Sequence, residues 1–342
     1  MRKIVAIWGC GLLFSAPLGA REAADPGLIP VADLHVDLSY ELNFKGKTFQ
    51  HASGQFALDR ARKGGVRAVV LPLFIPHDVS PLGPRAQDLE ASYAHLLTAI
   101  RATPDVAEPG CEHVAAGKLA TFLAFEGAGP LAQDPQALAR WSARGLRIVG
   151  LVHTSANELA SSSGDVDVKP YGLTEAGSAL VKQAFALGLV IDVSHASDRA
   201  VADVLALAHD GAGVVVATHS NARALADHAR NLTDAQIAAI AATGGVIGVN
   251  FHSPFLARGR AATLADVVKM TKHLYDVAGE DHVAIGSDFE GDIRPPPELA
   301  DASRFPRLAR ALEKAGLSRA AVRKIFADNA LRVLCPKLPA QP

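Results

Sequence analysis

Cysteine is scarce: the 342 residues hold three. Neither Cys111 nor Cys335 has the paired C-x-x-C spacing of a zinc knuckle. An excess of one charge is also missing. With 34 basic residues against 35 acidic ones and no long run of either sign, nothing favours nucleic acid or an anionic membrane as partner. A small neutral or zwitterionic ligand fits better. No internal repeat, low-complexity segment or Pro/Ser linker divides the chain, which predicts one domain over residues 21–342. A glycine-rich turn after the first apolar run is absent too, and this argues against a dinucleotide-binding open sheet.

Only one apolar run stands out, IVAIWGCGLLFSAPLGA at residues 4–20, preceded by Arg2 and Lys3 and followed by the polar REAADP. It is short for a membrane span and has no second apolar segment behind it. It reads as a secretory signal cut near Ala20, so the mature protein is expected to be periplasmic or secreted. Lipid attachment at Cys10 fits less well, because Trp8 stands where a small residue is expected. The tail LCPKLPAQP has no hydrophobic terminus and predicts no lipid anchor at that end. In an exported chain Cys111 and Cys335 either pair or stay buried as free thiols, and spacing does not decide between the two.

What is present is a regular alternation. Short β-branched runs at Val31–Asp37, Ala68–Phe74, Leu119–Phe125, Ile148–Leu151, Leu189–Val193, Val214–Thr218, Val246–Phe251 and Val283–Ser287 read as strands. Segments of helical spacing lie between them: Gln87–Ala102, Asp134–Ala143, Leu173–Leu187, Ser197–Ala208, Thr233–Thr243, Thr263–Ala278, Phe305–Ala315 and Ser318–Asp328. Thr233 with Gln236 forms a capping-box signature, and Gly188 and Gly244 supply stops. Eight strands with intervening helices predict an α/β fold of the (β/α)8 or TIM-barrel class. The polar stretch 157–171, with Ser161, Ser162 and Ser163, is expected to form a rim or lid.

In such a barrel the reactive residues sit where strands finish. Reading those ends in order gives His35 and Asp37, then Glu126, His153, His195, His219 and Asp288. Four of the thirteen histidines fall there. One histidine after a strand is ordinarily a cap or a satisfied core residue, but so many converging histidines and carboxylates would be costly to bury unpaired. They predict a metal site. Imidazole with carboxylate and no thiolate suits zinc, with cobalt or manganese as substitutes. There are more ligands than one ion needs, so two ions are expected: His35 and Asp37 on one, His195 and His219 on the other, and Glu126 bridging. Two ions about 3.5–4 Å apart activate a shared water and polarise the group that it attacks. Asp288 is the carboxylate left over, either a proton acceptor and donor or a cap before Phe289. His153 could donate a hydrogen bond to an oxyanion. Arg230 could clamp a substrate carboxylate, although an arginine before a helix is ordinarily solvated and spacing alone does not assign it.

These residues lie in motifs that resemble one family. HVD at 35–37, FEG at 125–127, VHTSAN at 152–157, GLTEAG at 172–177, DVSHAS at 192–197, THSNARAL at 218–225, HARNLTD at 228–234 and IGSDFEG at 285–291 are similar, in the same order, to the membrane or renal dipeptidases, the metallopeptidases of family M19. The resemblance implies a TIM barrel of the metal-dependent hydrolase type and dipeptide hydrolysis by a hydroxide bridging two zinc ions. It carries metal ligation onto His35, Asp37, Glu126, His195 and His219, the oxyanion role onto His153, the carboxylate clamp onto Arg230 and proton transfer onto Asp288. It also implies a homodimer, tolerance of a D-residue at the second position and, in some members, cleavage of carbapenem-type β-lactams. Animal members are lipid-anchored, which this sequence does not suggest. A second hydrolase reading is an amidohydrolase acting on N-acyl-D-amino acids, cyclic amides or lactones. Those enzymes often open with HxH and bridge through a modified lysine on strand four, whereas here the pair is HxD and that strand ends at His153. A non-catalytic binding protein would be marked by a lost ligand or a lost Asp288, and every expected position is filled.

Overall fold

The computed structural model describes residues 27–51, 54–76, 83–114, 117–134 and 136–336, so the signal segment expected at 1–20 lies outside the described residues. Among the described residues nine strands form one all-parallel sheet: β1 (Val31–Asp33), β2 (Val66–Leu73), β3 (Val106–Pro109), β4 (Leu119–Glu126), β5 (Leu146–Gly150), β6 (Val190–Asp192), β7 (Val215–Val216), β8 (Ile247–Val249) and β9 (Val283–Ile285). The path runs β7-β6-β5-β4-β2-β1-β9-β8, with β3 added beside β4. Between β7 and β8 the parallel bridge from Ala217 to Ile247 closes the ring. Gly248 N donates to Ala217 O across the same seam at 2.7 Å. Eight of the nine strands thus make the expected (β/α)8 barrel, and β3 is an addition outside it.

The strands are apolar on both faces because both are covered. Inside the ring, small residues such as Ala32, Ala68, Ala120 and Ala284 alternate with Val70, Phe122 and Ile148. Outside it, Val69, Leu71, Leu123 and Val149 pack beneath the helices. The close fit reaches the backbone at one seam: a Cβ at Gly286 would stand 1.7 Å from Thr218 O, so only glycine fits there.

Helix ends follow the sequence signals closely. Thr174 caps Glu175–Ala186 by accepting from Gly177 N. Ser197 does the same for Asp198–Leu207, and Thr233 with Gln236 completes a capping box ahead of Asp234–Ala242. Three segments depart from expectation. The first strand stops at Asp33, not Asp37, because the chain turns at Asp37 into a helix, Leu38–Phe44, with Glu41 N donating to Asp37 O. A second seven-residue helix, Leu58–Gly64, also precedes β2. Such short helices are marginal in isolation and exist through packing, so periodicity does not announce them. Finally, the expected helix 318–328 continues: a π-turn at Lys324–Asp328 leads into Asn329–Leu334.

This last helix stoppers one end of the barrel. Ala330, Val333 and Leu334 join the inner core, and Asn329 Nδ2 donates to Val283 O at the start of β9. Arg147, at the start of β5, donates to Leu334 O. The strand starts are thereby sealed, and the strand ends are left to open on the other face. Cys335 at the helix end is disulfide-bonded to Cys111, 224 residues away. Closing so long a loop restricts the unfolded chain, so Cys335→Ala should lower stability by about 2–5 kcal/mol in denaturant titration while leaving turnover unchanged. An unshifted midpoint would show that the bond contributes nothing.

Candidate active site

The strand ends bring the predicted residues together. Glu126 terminates β4 and is buried. Its Oε1 lies 3.1 Å from His195 Nε2, 3.4 Å from His35 Nε2, 3.6 Å from His219 Nε2 and 3.9 Å from His153 Nε2. Four imidazoles from four strand ends thus converge on one carboxylate oxygen. Asp37 Oδ2 also approaches His35 Nε2, at 3.5 Å. Although Asp37 begins a helix and is not in a strand, it reaches the same nitrogen. Metal-type triads form among His35, Glu126 and His219, among Glu126, His153 and His195, and among His35, Asp37 and Asp288.

The electrostatics are those of a site built for cations. His35 Nε2 is buried and has no hydrogen-bond partner, yet it faces two carboxylates. Burial opposes a positive charge on His35, but Glu126 and Asp37 outweigh it and hold the imidazole well above its ordinary value. The same field would favour a metal ion in place of that proton. Burial also tends to raise Glu126, and here His35 and His153 prevail and keep it well below the usual carboxylate range. His195 and His219 are pushed well below 6.5, first by burial and then by neighbouring positive groups, Arg230 among them. Both are therefore neutral near pH 7, the form that ligates metal. Their Nε2 atoms stand 2.9 Å apart.

Asp288 follows β9 in the left-handed region, at φ 65°. For a non-glycine residue this is uncommon, and short polar side chains tolerate it best. Its N–H donates to His35 O and its Oδ2 accepts from Asn250 Nδ2 at 2.9 Å. Burial and the charge of Asp37 push the carboxyl up to about 8. Cations placed beside it would draw it back down. Gly291 closes this corner: a Cβ there would stand 2.6 Å from Asp37 Oδ2 and 2.7 Å from Asp288 Oδ1.

Arg230 is 8% exposed. Its guanidinium donates to Ser220 Oγ and His219 O, both at 3.4 Å, so most of its five donors are uncommitted. Its guanidinium lies 5.5 Å from the Phe255 ring centroid. His153 packs against Phe74 at 4.3 Å and keeps 29% of its side chain accessible. The cavity over these groups has a volume of about 790 Å3 and is lined also by Tyr40, Phe74 and His252, a size that suits a small ligand.

The serine-rich stretch is a fixed rim. Ser161 and Ser162 are buried. Ser162 Oγ donates to His153 O, and Ser163 N donates to His195 O at 2.9 Å. The loop therefore braces the backbones of two site histidines. Sequence reasoning missed Asn250, Thr218 and Asp192, all hydrogen-bonded into the site. The one available signal was position, since Asp192 and Thr218 open two of the quoted motifs and Asn250 directly follows β8.

A parallel barrel with histidines and carboxylates gathered at its strand ends defines a class, the metal-dependent hydrolases. Within it the lineage is specific: residues 27–337 match the membrane dipeptidase family, peptidase family M19, and the chain belongs to that family. An uncharacterised Klebsiella pneumoniae protein encoded in the pqqA 5′ region is 42% identical over 225 residues, covering 63% of this chain and 81% of that one. The dipeptidase verJ of Clonostachys rogersoniana is 29% identical over 286 residues, 83% of this chain and 69% of its own. Among solved structures, a metallopeptidase from Rhodobacter sphaeroides liganded with a phosphinate mimic of L-Ala-D-Ala superposes with a TM-score of 0.79 at 30% identity, covering 90% of this chain and 99% of that one. Among the described residues no helix is long and apolar enough to cross a membrane.

Proposed function

We propose that this metallodipeptidase hydrolyses the amide bond of L,L and L,D dipeptides with two zinc ions as cofactors. The observation that carries this reading is the convergence of four histidine Nε2 atoms on Glu126 Oε1, with His35 Nε2 lacking any hydrogen bond. His35 and Asp37 would hold one ion and His195 and His219 the other, with Glu126 spanning both. Bound there, the pair of ions would lower the pKa of a shared water to about neutral and polarise the scissile carbonyl. Glu126, Asp37, Asp288 and a hydroxide shared by the ions would together offset their four positive charges.

The remaining groups act on the substrate. Arg230 binds the C-terminal carboxylate with its uncommitted donors and so holds the amide over Glu126. His153 donates to the oxygen of the carbonyl under attack. Asp288 accepts the proton of the attacking water and delivers it to the departing amine, so that two amino acids leave. Because the amide is oriented by charge and not by a chiral main-chain cleft, a D-residue at the second position is admitted. The Rhodobacter relative with its L-Ala-D-Ala mimic supports that extension. We also place the protein outside the cytoplasm as a homodimer, the first on the segment ending near Ala20 and the disulfide, the second on the family resemblance.

The test is a metal-replete screen of L,L and L,D dipeptides beside N-acyl-D-amino acids, cyclic amides and lactones. Turnover confined to dipeptides is expected, and preference for the other substrates would replace this reading with the amidohydrolase one. Arg230→Ala should raise KM for dipeptides by roughly tenfold or more, as the loss of a charge-assisted bond worth about 1.5–3 kcal/mol requires. It should change KM for dipeptide C-terminal amides far less, and equal effects would remove the clamp.

A further inference from the structure

The Thr218 hydroxyl stands between two of the histidines assigned above to different ions. Thr218 is fully buried. Its Oγ1 donates to Asp192 Oδ2, lies 2.8 Å from His219 Nδ1 and lies 3.4 Å from His35 Nδ1. Asp192 is itself fixed, since its Oδ1 accepts from Thr218 N, Ser194 N and Ser194 Oγ at 2.9, 3.0 and 2.6 Å. Ser194 Oγ, having donated its proton there, accepts from His219 N.

A threonine hydroxyl carries one hydrogen and two lone pairs. With that hydrogen committed to the Asp192 carboxylate, and the hydrogen of the Ser194 hydroxyl 3.2 Å away committed to the same carboxylate, Oγ1 can only accept from the two rings. Both Nδ1 atoms must then carry a proton, so that each ring in its neutral form presents a bare Nε2 lone pair towards Glu126. The hydrogen-bond arithmetic assigns the tautomers, not either ring alone.

We propose that Thr218, oriented by Asp192, is a positioning residue that sets the metal-binding tautomer of His35 and His219 together and so couples the two ion sites. The inference rests on the ligand assignment above. A partner of this kind typically changes metal affinity by about 10- to 100-fold. Here one hydroxyl serves one ligand of each ion, so its removal must weaken both.

The test is competition for zinc against a chromophoric chelator, followed over both binding steps. Thr218→Val should weaken both ions by about 10- to 100-fold, and Thr218→Ser, which restores the hydroxyl, should bind as the unaltered protein does. Loss at only one site, or no loss in a variant whose circular dichroism is unchanged, would overturn the coupling. A measurement on the unaltered zinc-loaded protein needs no variant: long-range proton–nitrogen NMR should find His35 and His219 protonated at Nδ1 and metal-shifted at Nε2. Either ring ligating through Nδ1 overturns the inference while leaving the ligand assignment intact. A protein that binds fewer than two ions, with neither ring metal-shifted, refutes the assignment itself and this inference with it.

Discussion

Glu126→Gln should strip both metal positions at once. The substitution keeps the volume of the side chain and removes one negative charge from a point where four imidazole nitrogens lie within 3.9 Å. Removing one partner of a buried charged assembly costs about 3–5 kcal/mol. That cost corresponds to a hundredfold or greater loss of affinity, and as Glu126 is assigned to both ions, neither should be spared. Metal analysis after dialysis should find well under one ion per chain and turnover reduced in proportion. A variant that still carries two ions and stays active would show that the carboxylate bridges nothing.

Asp288→Asn should do the reverse: keep the metals and lose the chemistry. Asp288 is not among the assigned ligands, and the amide can still pair with Asn250, which donates to Oδ2 in the native protein. What it cannot do is accept a proton. Losing a general base and acid typically costs two to four decades, so kcat should fall by about 10²–10⁴ with metal content unchanged. The pH profile supplies a second sign. A carboxyl must be ionised to accept a proton, so native activity falls on the acid side as Asp288 protonates. Burial and Asp37 raise that point and bound cations lower it. The asparagine variant should lose this limb altogether. Near-normal turnover would mean that the proton travels by another route.

Much of this site could be read from the sequence, because a barrel converts a one-dimensional signal into a three-dimensional one. Strand ends at Glu126, Asp192 and Ile285 open on one face, so histidines and acids just beyond an apolar run must converge if the ring closes. Helix starts were equally legible where a hydroxyl provides the cap, as at Thr174, Ser197 and Thr233. What the sequence concealed is whatever depends on partners distant in the chain. Asp37 looks like a strand residue until Phe289 O takes its N–H and turns the backbone into a helix. Val106–Pro109 is too short to register without β4 beside it. The stretch around Ser162 and Ser163 reads only as a rim or lid, although these two serines hold His153 and His195 by their carbonyls. Thr218 is one residue from a ligand and carries no pattern of its own; its meaning comes from the carboxylate of Asp192, 26 positions earlier.

The same logic explains the division of labour across the barrel. One end is stoppered by Asn329–Leu334 and tied by Cys335 to Cys111, so its residues serve stability. The other end carries polar groups whose burial would be prohibitive without a compensating charge. That separation lets a rigid core hold an electrostatically demanding site.

The most direct test is anomalous diffraction at the zinc edge from crystals of the metal-loaded protein. Two peaks are expected about 3.5–4 Å apart, each within about 2.0–2.2 Å of a Glu126 oxygen, with His35 and Asp37 on one and His195 and His219 on the other. A single peak, or two peaks neither of which touches Glu126, would contradict the dizinc assignment.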